Sequence, residues 1–218
     1  MKKIISIFCC IVLLFGLAAC SSGYYNDEAE ITQTCWSWEK TAKNNGVVNY
    51  GFVLDNNNSS KALLEPEVTI TAMDGSGTII DQAEYQLNYL EAGDKMYYGV
   101  STSLAVKPES VEFEITGGEY VDSQFDVSAL IFSISDITED KSSGKYASVK
   151  GNITNISDGN VTPIISSVYK KGTDIVAIYT TYMFKGIDSQ ETQEFQIYTN
   201  STRIPEYDSV EVYANYWI

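Results

Sequence analysis

Cysteine is the residue type in this chain with the widest range of possible chemistry, and it occurs at positions 9, 10, 20 and 35. The chain contains no histidine, so no histidine can act as the base that activates a serine or cysteine nucleophile. Zinc sites with histidine ligands are excluded for the same reason. Arg203 is the only arginine, which leaves little for a bidentate phosphate or carboxylate clamp.

The first residues, MKKIISIFCCIVLLFGLAAC, have the layout of a secretory signal. Lys2 and Lys3 form a positive start, residues 4–19 carry no charge, and small residues precede Cys20. The apolar run is shorter than the roughly 20 residues of a membrane-spanning helix. Leu17-Ala18-Ala19-Cys20 resembles the bacterial lipobox, which implies that Cys20 is diacylated and becomes the mature N-terminus. The alternative is an ordinary signal peptide that contains a cysteine.

Lipidation at Cys20 predicts attachment to the outer face of a bacterial cytoplasmic membrane, because two acyl chains form a stable anchor. The preference for lysine over arginine and the many asparagines indicate a Gram-positive cell. We expect residues 1–19 to be the lipoprotein signal peptide and residues 20–29 to be the lipidated cysteine and its tether. Removal of Lys2 and Lys3 changes the net charge from −15 to −17. This acidity disfavours nucleic acid and anionic headgroups as partners.

Cys35 is then the only cysteine of the mature chain, so the chain cannot form an internal disulfide. It lies in the alternating stretch TQTCWSWE. We expect Cys35 to be a small buried residue of a strand. A nucleophilic or thioester-forming cysteine is the alternative.

Apolar and polar residues alternate along much of the chain, most clearly in PEVTITAM (66–73), VEFEITGG (111–118) and VEVYANYW (210–217). A period of two is typical of half-buried β-strands. Turn residues such as DNNNSS (55–60) and DGSG (74–77) separate these runs. The pattern predicts an all-β fold.

An internal repeat divides the chain into two halves. Four blocks recur in the same order: FVLDN (52–56) with GNITN (151–155), SGTII (76–80) with GTDIV (172–176), YLEAGDKMYYGV (89–100) with GIDSQETQEFQI (186–197), and VEFE (111–114) with VEVY (210–213). We therefore predict two domains, residues 30–118 and 123–218. The polar stretch from Gly117 to Gln124 is expected to be a short junction between them.

The repeated unit has an apolar strand that ends in Asn, a turn, an Ile/Val pair and then Tyr-Tyr-Gly-Val or Phe-Gln-Ile. It resembles FxLYD-type repeats, with ITAMDGSG and SSVYKKGT at the place of the name-giving motif. The resemblance implies two tandem immunoglobulin-like antiparallel β-sandwiches in an exported bacterial lipoprotein. It implies no catalytic residues and no cofactor.

Two sets of residues are candidates for binding. Asp55 and Asp74 are weak calcium candidates, because each is the only carboxylate in its turn and calcium takes six to eight oxygen ligands. Turn formation is the alternative role of both residues. Aromatic residues are favoured at recognition surfaces, and the candidates are Trp36, Trp38, Tyr97, Tyr213 and Trp217. Packing between the two domains is the alternative role of these aromatic residues.

These features predict a non-catalytic lipoprotein of the cell envelope that binds or assembles with an envelope protein. The first alternative is capture of a small ligand or sugar between the domains, for a transporter or sensor. A hydrolase that uses two carboxylates is a further alternative. A deep pocket between the domains, lined by Trp36, Trp38 or Trp217, would favour capture, whereas a flat tyrosine-rich face would favour a protein partner.

Replacement of Cys20 by Ala tests the predicted anchor. Because the thiol is the site of acylation, Cys20→Ala should move the protein from the membrane fraction to the soluble fraction, as measured by immunoblotting after ultracentrifugation. Cys35→Ala is the matched control and should leave the protein in the membrane fraction. Membrane retention of Cys20→Ala would contradict lipidation at this residue.

Overall fold

A computed structural model of the chain describes residues 28–42, 45–123, 131–140, 147–199 and 203–217. All regular elements in these ranges are β-strands, and all strand pairs are antiparallel. The strands are β1 (Ala29–Ala42), β2 (Asn45–Asn56), β3 (Lys61–Met73), β4 (Ile79–Gln86), β5 (Tyr89–Leu90), β6 (Lys95–Leu104), β7 (Ser110–Asp122), β8 (Phe132–Asp140), β9 (Ser148–Asn155), β10 (Thr162–Lys171), β11 (Asp174–Tyr182), β12 (Thr192–Tyr198) and β13 (Ser209–Trp217). The predicted fold class is confirmed. In the described ranges, no helix has the length and apolar character needed to span a membrane.

The first sandwich consists of strands β1–β7. One sheet has the order β1-β2-β6, and the other has β3 between β4 and β7, with the short β5 also paired to β3. Because side chains alternate between the two faces of a strand, every second residue of β2 and β3 points into the core. The buried side chains include Val48, Tyr50, Phe52, Leu54, Val68, Ile70 and Ala72. The inward face predicted from PEVTITAM is thus confirmed.

The second sandwich repeats this strand order. Its sheets are β8-β9-β12 and β11-β10-β13, so β8, β9, β10, β11, β12 and β13 take the places of β1, β2, β3, β4, β6 and β7. Its core contains Val149, Ile153, Ile165, Tyr169 and Phe195. The four sequence blocks therefore lie at equivalent places in the two halves.

The matched residues Asn56 and Asn155 have the same structural role. Both are fully buried at the end of a core strand. The side-chain amide of Asn56 donates to three backbone carbonyls at 2.9–3.1 Å, and that of Asn155 donates to two at 2.6 and 2.7 Å. The turns that pack on these two asparagines also match. Gly93 and Gln190 both have positive φ, 74° and 63°. The backbone N–H of Gly93 donates to the backbone carbonyl of Asn56, and that of Gln190 donates to the backbone carbonyl of Asn155. This corner is the most specific structural feature of the repeat.

The predicted junction differs from the structure. β7 continues through Gly117 and Gly118 to Asp122, with a register shift near Glu67. Pairing with the start of β3 extends the strand, and Lys61 forms an ion pair with Asp122. A polar composition alone could not distinguish this strand end from a loop. The domain boundaries themselves stay a prediction.

The two sandwiches contact each other through their sheets. Gly51 of β2 and Gly99 of β6 are cross-strand partners, and their missing side chains leave a notch on the outer face of the β1-β2-β6 sheet. Ile178 of β11 lies in this notch. A Cβ atom added to Gly99 would lie 2.0 Å from the carbonyl oxygen of Ile178. A glycine in a strand often marks such a close approach of two backbones.

Polar groups complete the contact around the notch. Asn49 Nδ2 donates to the Ile178 carbonyl at 3.1 Å, and the Gly99 N–H donates to Thr180 Oγ1 at 2.8 Å. The Ser166 hydroxyl donates to the Tyr97 carbonyl at 2.6 Å. The interface is therefore hydrogen-bonded across its centre as well as packed.

The substitution Gly99→Ala tests this contact. The added methyl group would overlap the β11 backbone, so we expect the free energy of unfolding to fall by about 2 kcal/mol, within the range for overpacked sites. Gly159→Ala is the control, because an added Cβ there meets nothing within 4 Å, and it should change stability by less than about 0.5 kcal/mol. Urea unfolding monitored by tryptophan fluorescence measures both. Equal effects of the two substitutions would contradict the notch.

Candidate functional site

Tyr97 and Tyr213, two members of the predicted binding surface, contact each other. Their rings stack with centroids 3.9 Å apart and planes at 17°, and Lys170 lies 5.9 Å from the centre of the Tyr213 ring. Tyr97 belongs to β6 of the first sandwich and Tyr213 to β13 of the second. These two rings therefore lie in the contact between the sandwiches. Packing between the domains is the alternative role expected of these aromatic residues.

The structure describes the side chains of two of the three tryptophans, Trp36 and Trp38. Trp36 and Trp38 of β1 are half-buried and pack against the core of the first sandwich. Trp38 also lies over Gly46, where an added Cβ would be 2.3 Å from its Cε2 atom. The side chain of Trp217 and the whole of Cys20 lie outside the described residues.

Cys35 is buried in the contact between the sandwiches. It belongs to an apolar cluster with Val53, Val168, Ile175 and Ile178, which draws on both halves of the chain. Burial raises the pKa of the Cys35 thiol to about 12, although a hydrogen bond with the Ile178 backbone opposes the shift. The expectation of a buried cysteine is confirmed. A protonated, enclosed thiol is a poor nucleophile.

The two calcium candidates have other partners. Asp55 is buried and forms an ion pair with Lys95. Asp74 Oδ1 accepts hydrogen bonds from Ser76 N (2.8 Å), Ser76 Oγ (2.6 Å) and Thr78 N (3.0 Å), and these bonds lower the pKa of Asp74. Asp74 thus shapes the β3–β4 turn. Among the described residues, no three His, Cys, Asp or Glu side chains are grouped as metal ligands would be.

Glu91 is a buried carboxylate that sequence reasoning did not single out. It accepts hydrogen bonds from Tyr89 (3.0 Å), Tyr216 (2.9 Å) and Ser123. Burial, followed by the hydrogen bond to Glu91, raises the pKa of Tyr216 well above its usual range. Because Tyr216 belongs to β13, this carboxylate joins the two sandwiches near the end of β7. The YLEAGD block marked a turn here but gave no sign of burial.

An open groove of about 750 Å³ lies between the sandwiches. One wall is Ser37, Trp38 and Glu39 of β1, and the other is the segment 203–207 before β13. We call this the interdomain groove. Its volume is in the range of pockets for small molecules, which favour domain interfaces.

The charges of the interdomain groove are largely paired. Glu39 Oε2 accepts the backbone N–H of Arg203 at 2.6 Å, and Glu206 forms a 2.7 Å ion pair with Lys171. Among the described residues, the Arg203 guanidinium has no ion pair. In the described part of the chain, the groove therefore presents a guanidinium without an ion pair beside apolar and aromatic side chains.

The outer sheet of the first sandwich has a polar, acidic surface. Glu112 and Glu114 of β7 are exposed, and with Thr69, Thr71 and Phe113 they line a shallow depression. The Glu67 carboxylate accepts a hydrogen bond from Thr116 Oγ1 at 3.0 Å. In the second sandwich, the equivalent sheet is covered by the first sandwich, so only the first presents this face.

No protein-family model and no curated protein matches the chain. Among solved structures, it is similar to red sea bream transglutaminase (7% identity, TM-score 0.29) and to a calcium-binding mutant of Bacteroides uniformis beta-glucuronidase 2 (9% identity, TM-score 0.24). The alignments cover 86% and 87% of this chain. The chain spans only 29% and 32% of the length of those two proteins.

The reactivity of Cys35 provides a test of its burial. With a pKa of about 12, the thiolate fraction at pH 8 should be roughly a thousandfold below that of an ordinary thiol. We expect negligible labelling by iodoacetamide in the native lipidated protein and one equivalent of label in 8 M urea, as measured by mass spectrometry. Rapid native labelling would show that the thiol is accessible.

Proposed function

We propose that the chain is a non-catalytic binding protein of the bacterial cell envelope, anchored through Cys20, and that it presents an outer sheet face to a protein partner. The sheet-on-sheet contact around Gly51, Gly99 and Ile178 carries the proposal. This contact covers the outer faces of the β1-β2-β6 and β11-β10-β13 sheets. The β4-β3-β7 and β8-β9-β12 sheets therefore face outward.

The chemistry of the chain supports a role without catalysis. The sequence has no histidine, and its one cysteine after Cys20 is buried and protonated. The buried Glu91 carboxylate is held by three hydroxyl groups that join the sandwiches. Burial raises the pKa of Cys35 and of Tyr216, and both groups serve packing, although groups with perturbed pKa values often mark catalytic sites in other proteins.

Two exposed aromatic residues support a protein partner on the second sandwich. Phe184, between β11 and β12, is 100% exposed, and Tyr198 of β12 is 55% exposed. Large aromatic side chains contribute most of the binding energy at many interfaces. Single exposed apolar residues are also normal on protein surfaces, so these two positions are best used as probes.

Capture of a small ligand or sugar is the second candidate, and the interdomain groove favours it. The groove has a suitable volume, and Trp38 lines it together with the guanidinium of Arg203. However, the Trp38 ring packs against the first core and over Gly46, which leaves less of the indole for a ligand. We therefore place this candidate after the protein partner.

Photo-crosslinking in intact cells separates the two candidates. Benzoylphenylalanine is placed at Phe184 or Tyr198 on the outer surface, or at Glu206 in the interdomain groove. We expect an adduct with one defined envelope protein, identified by mass spectrometry, from an outer position. Glu206 should give no adduct.

The outcomes have distinct meanings. A small mass increase at Glu206 alone would support ligand capture instead. The same experiment in Cys20→Ala is the control, because a protein released from the membrane should lose its envelope adduct. If no position on either outer sheet, including β7, gives a protein adduct, the proposed function is wrong.

A further inference from the structure

The outer edge of β7 is an open strand edge. β7 pairs with β3 on one side, and among the described residues no strand pairs with its other side. Ser110–Ile115 pair with β3 in a continuous register, and Thr116 follows at the register shift beside Glu67. We call the segment Ser110–Thr116 the β7 edge. An open edge presents a row of backbone N–H and C=O groups to which an extended peptide can add.

The inward residues of the β7 edge are incompletely covered. Val111, Phe113 and Ile115 point toward the first core but are only half-buried. Their cross-strand partners on β3, Ala72, Ile70 and Val68, are fully buried. The difference arises because β3 has strands on both sides and β7 has one on a single side. An added strand with apolar inward residues would cover the remaining surface.

The edge strands β4 and β13 of the equivalent sheets have surroundings different from those of the β7 edge. In β4, Asp81 accepts a hydrogen bond from the core residue Tyr50 at 3.2 Å, and an inward-pointing charge disfavours strand addition. In β13, the equivalent of β7, the outward side chain of Tyr213 stacks on Tyr97, so the first sandwich covers the sheet face there. Neither feature occurs along Ser110–Thr116.

The negative charge of the β7 edge favours an added strand that carries positive charge. Glu112 and Glu114 are exposed on its outward face, and neither has an ion pair among the described residues. A second copy of this chain would set the same two glutamates opposite each other, and like charges directly opposite are destabilising in a sheet. A strand with lysine or arginine on its outward face would neutralise them.

We propose that the β7 edge binds an extended segment of a partner protein by strand addition, and that this segment alternates apolar residues with lysine or arginine. The apolar residues lie beside Val111, Phe113 and Ile115, and the cationic residues lie beside Glu112 and Glu114. This inference rests on the proposed function, since it names the surface and the class of partner.

A defined peptide tests the inference on the whole chain in detergent micelles. The probe is blocked VKVKVKV, and the reverse-charge probe is VEVEVEV. Binding is measured by fluorescence anisotropy, and backbone exchange by hydrogen–deuterium exchange with mass spectrometry. We expect VKVKVKV to bind and to slow exchange within residues 110–116, because an added strand protects the backbone amides of the edge.

Charge-reversal variants give the matched comparison. Glu112→Lys with Glu114→Lys should weaken VKVKVKV binding by about tenfold or more and create binding of VEVEVEV, because like-charge contacts oppose association. Asp158→Lys with Glu194→Lys changes the net charge equally at exposed sites of the second sandwich and should leave VKVKVKV binding unchanged. The gain of VEVEVEV binding also shows that the first variant is folded.

Three results of the peptide experiments would overturn the inference: no binding of VKVKVKV, binding that leaves exchange in residues 110–116 unchanged, or equal losses in the two charge-reversed variants. The last two results would indicate general electrostatic attraction.

Benzoylphenylalanine at Thr116 in intact cells distinguishes this inference from the proposed function. A protein adduct at Tyr198 or Phe184 with none at Thr116 would refute the β7 edge and leave the proposed function standing.

Discussion

The contact between Ile178 and the glycine pair Gly51–Gly99 determines how the two sandwiches are arranged. Two sheets normally pack about 10 Å apart, with side chains between them. Here the missing Cβ atoms let the backbone of β11 approach that of β6 directly. Cys35 and Val168 then fill the space around the notch, and the hydrogen bonds of Asn49 and Gly99 satisfy the polar backbone groups that it encloses.

The consequence of this contact is a stack of four sheets. The two inner sheets are covered on both faces, and for this reason β2 is buried almost without interruption from Val48 to Asn56 and β10 from Pro163 to Tyr169. The two outer sheets keep one face toward solvent and retain the alternating pattern. The outer sheets, the strand edges and the interdomain groove are therefore the surfaces that this contact leaves accessible.

Several groups that suggest chemistry in the sequence are structural in the folded chain. Asp74 orders a turn, and Cys35 fills the interface. Glu91, which the sequence does not single out, has the same structural role, because it is buried and bound by Tyr89, Ser123 and Tyr216. Its partners come from both sandwiches and their connection, and these three hydrogen bonds offset much of the cost of burying the carboxyl group.

The sequence by itself determined the strands and the repeat. Alternation in PEVTITAM and VEFEITGG predicts which residues face a core, and the matched Asn56 and Asn155 mark the same buried corner twice. The tertiary structure alone decided which sheet faces are covered. Asn49, Ser166 and Thr180 are polar, so their positions look solvent-facing in the sequence, yet their hydrogen bonds are made across the interface. A periodic pattern records the polarity of a strand face, whereas the partner that covers that face depends on contacts between residues far apart in the chain.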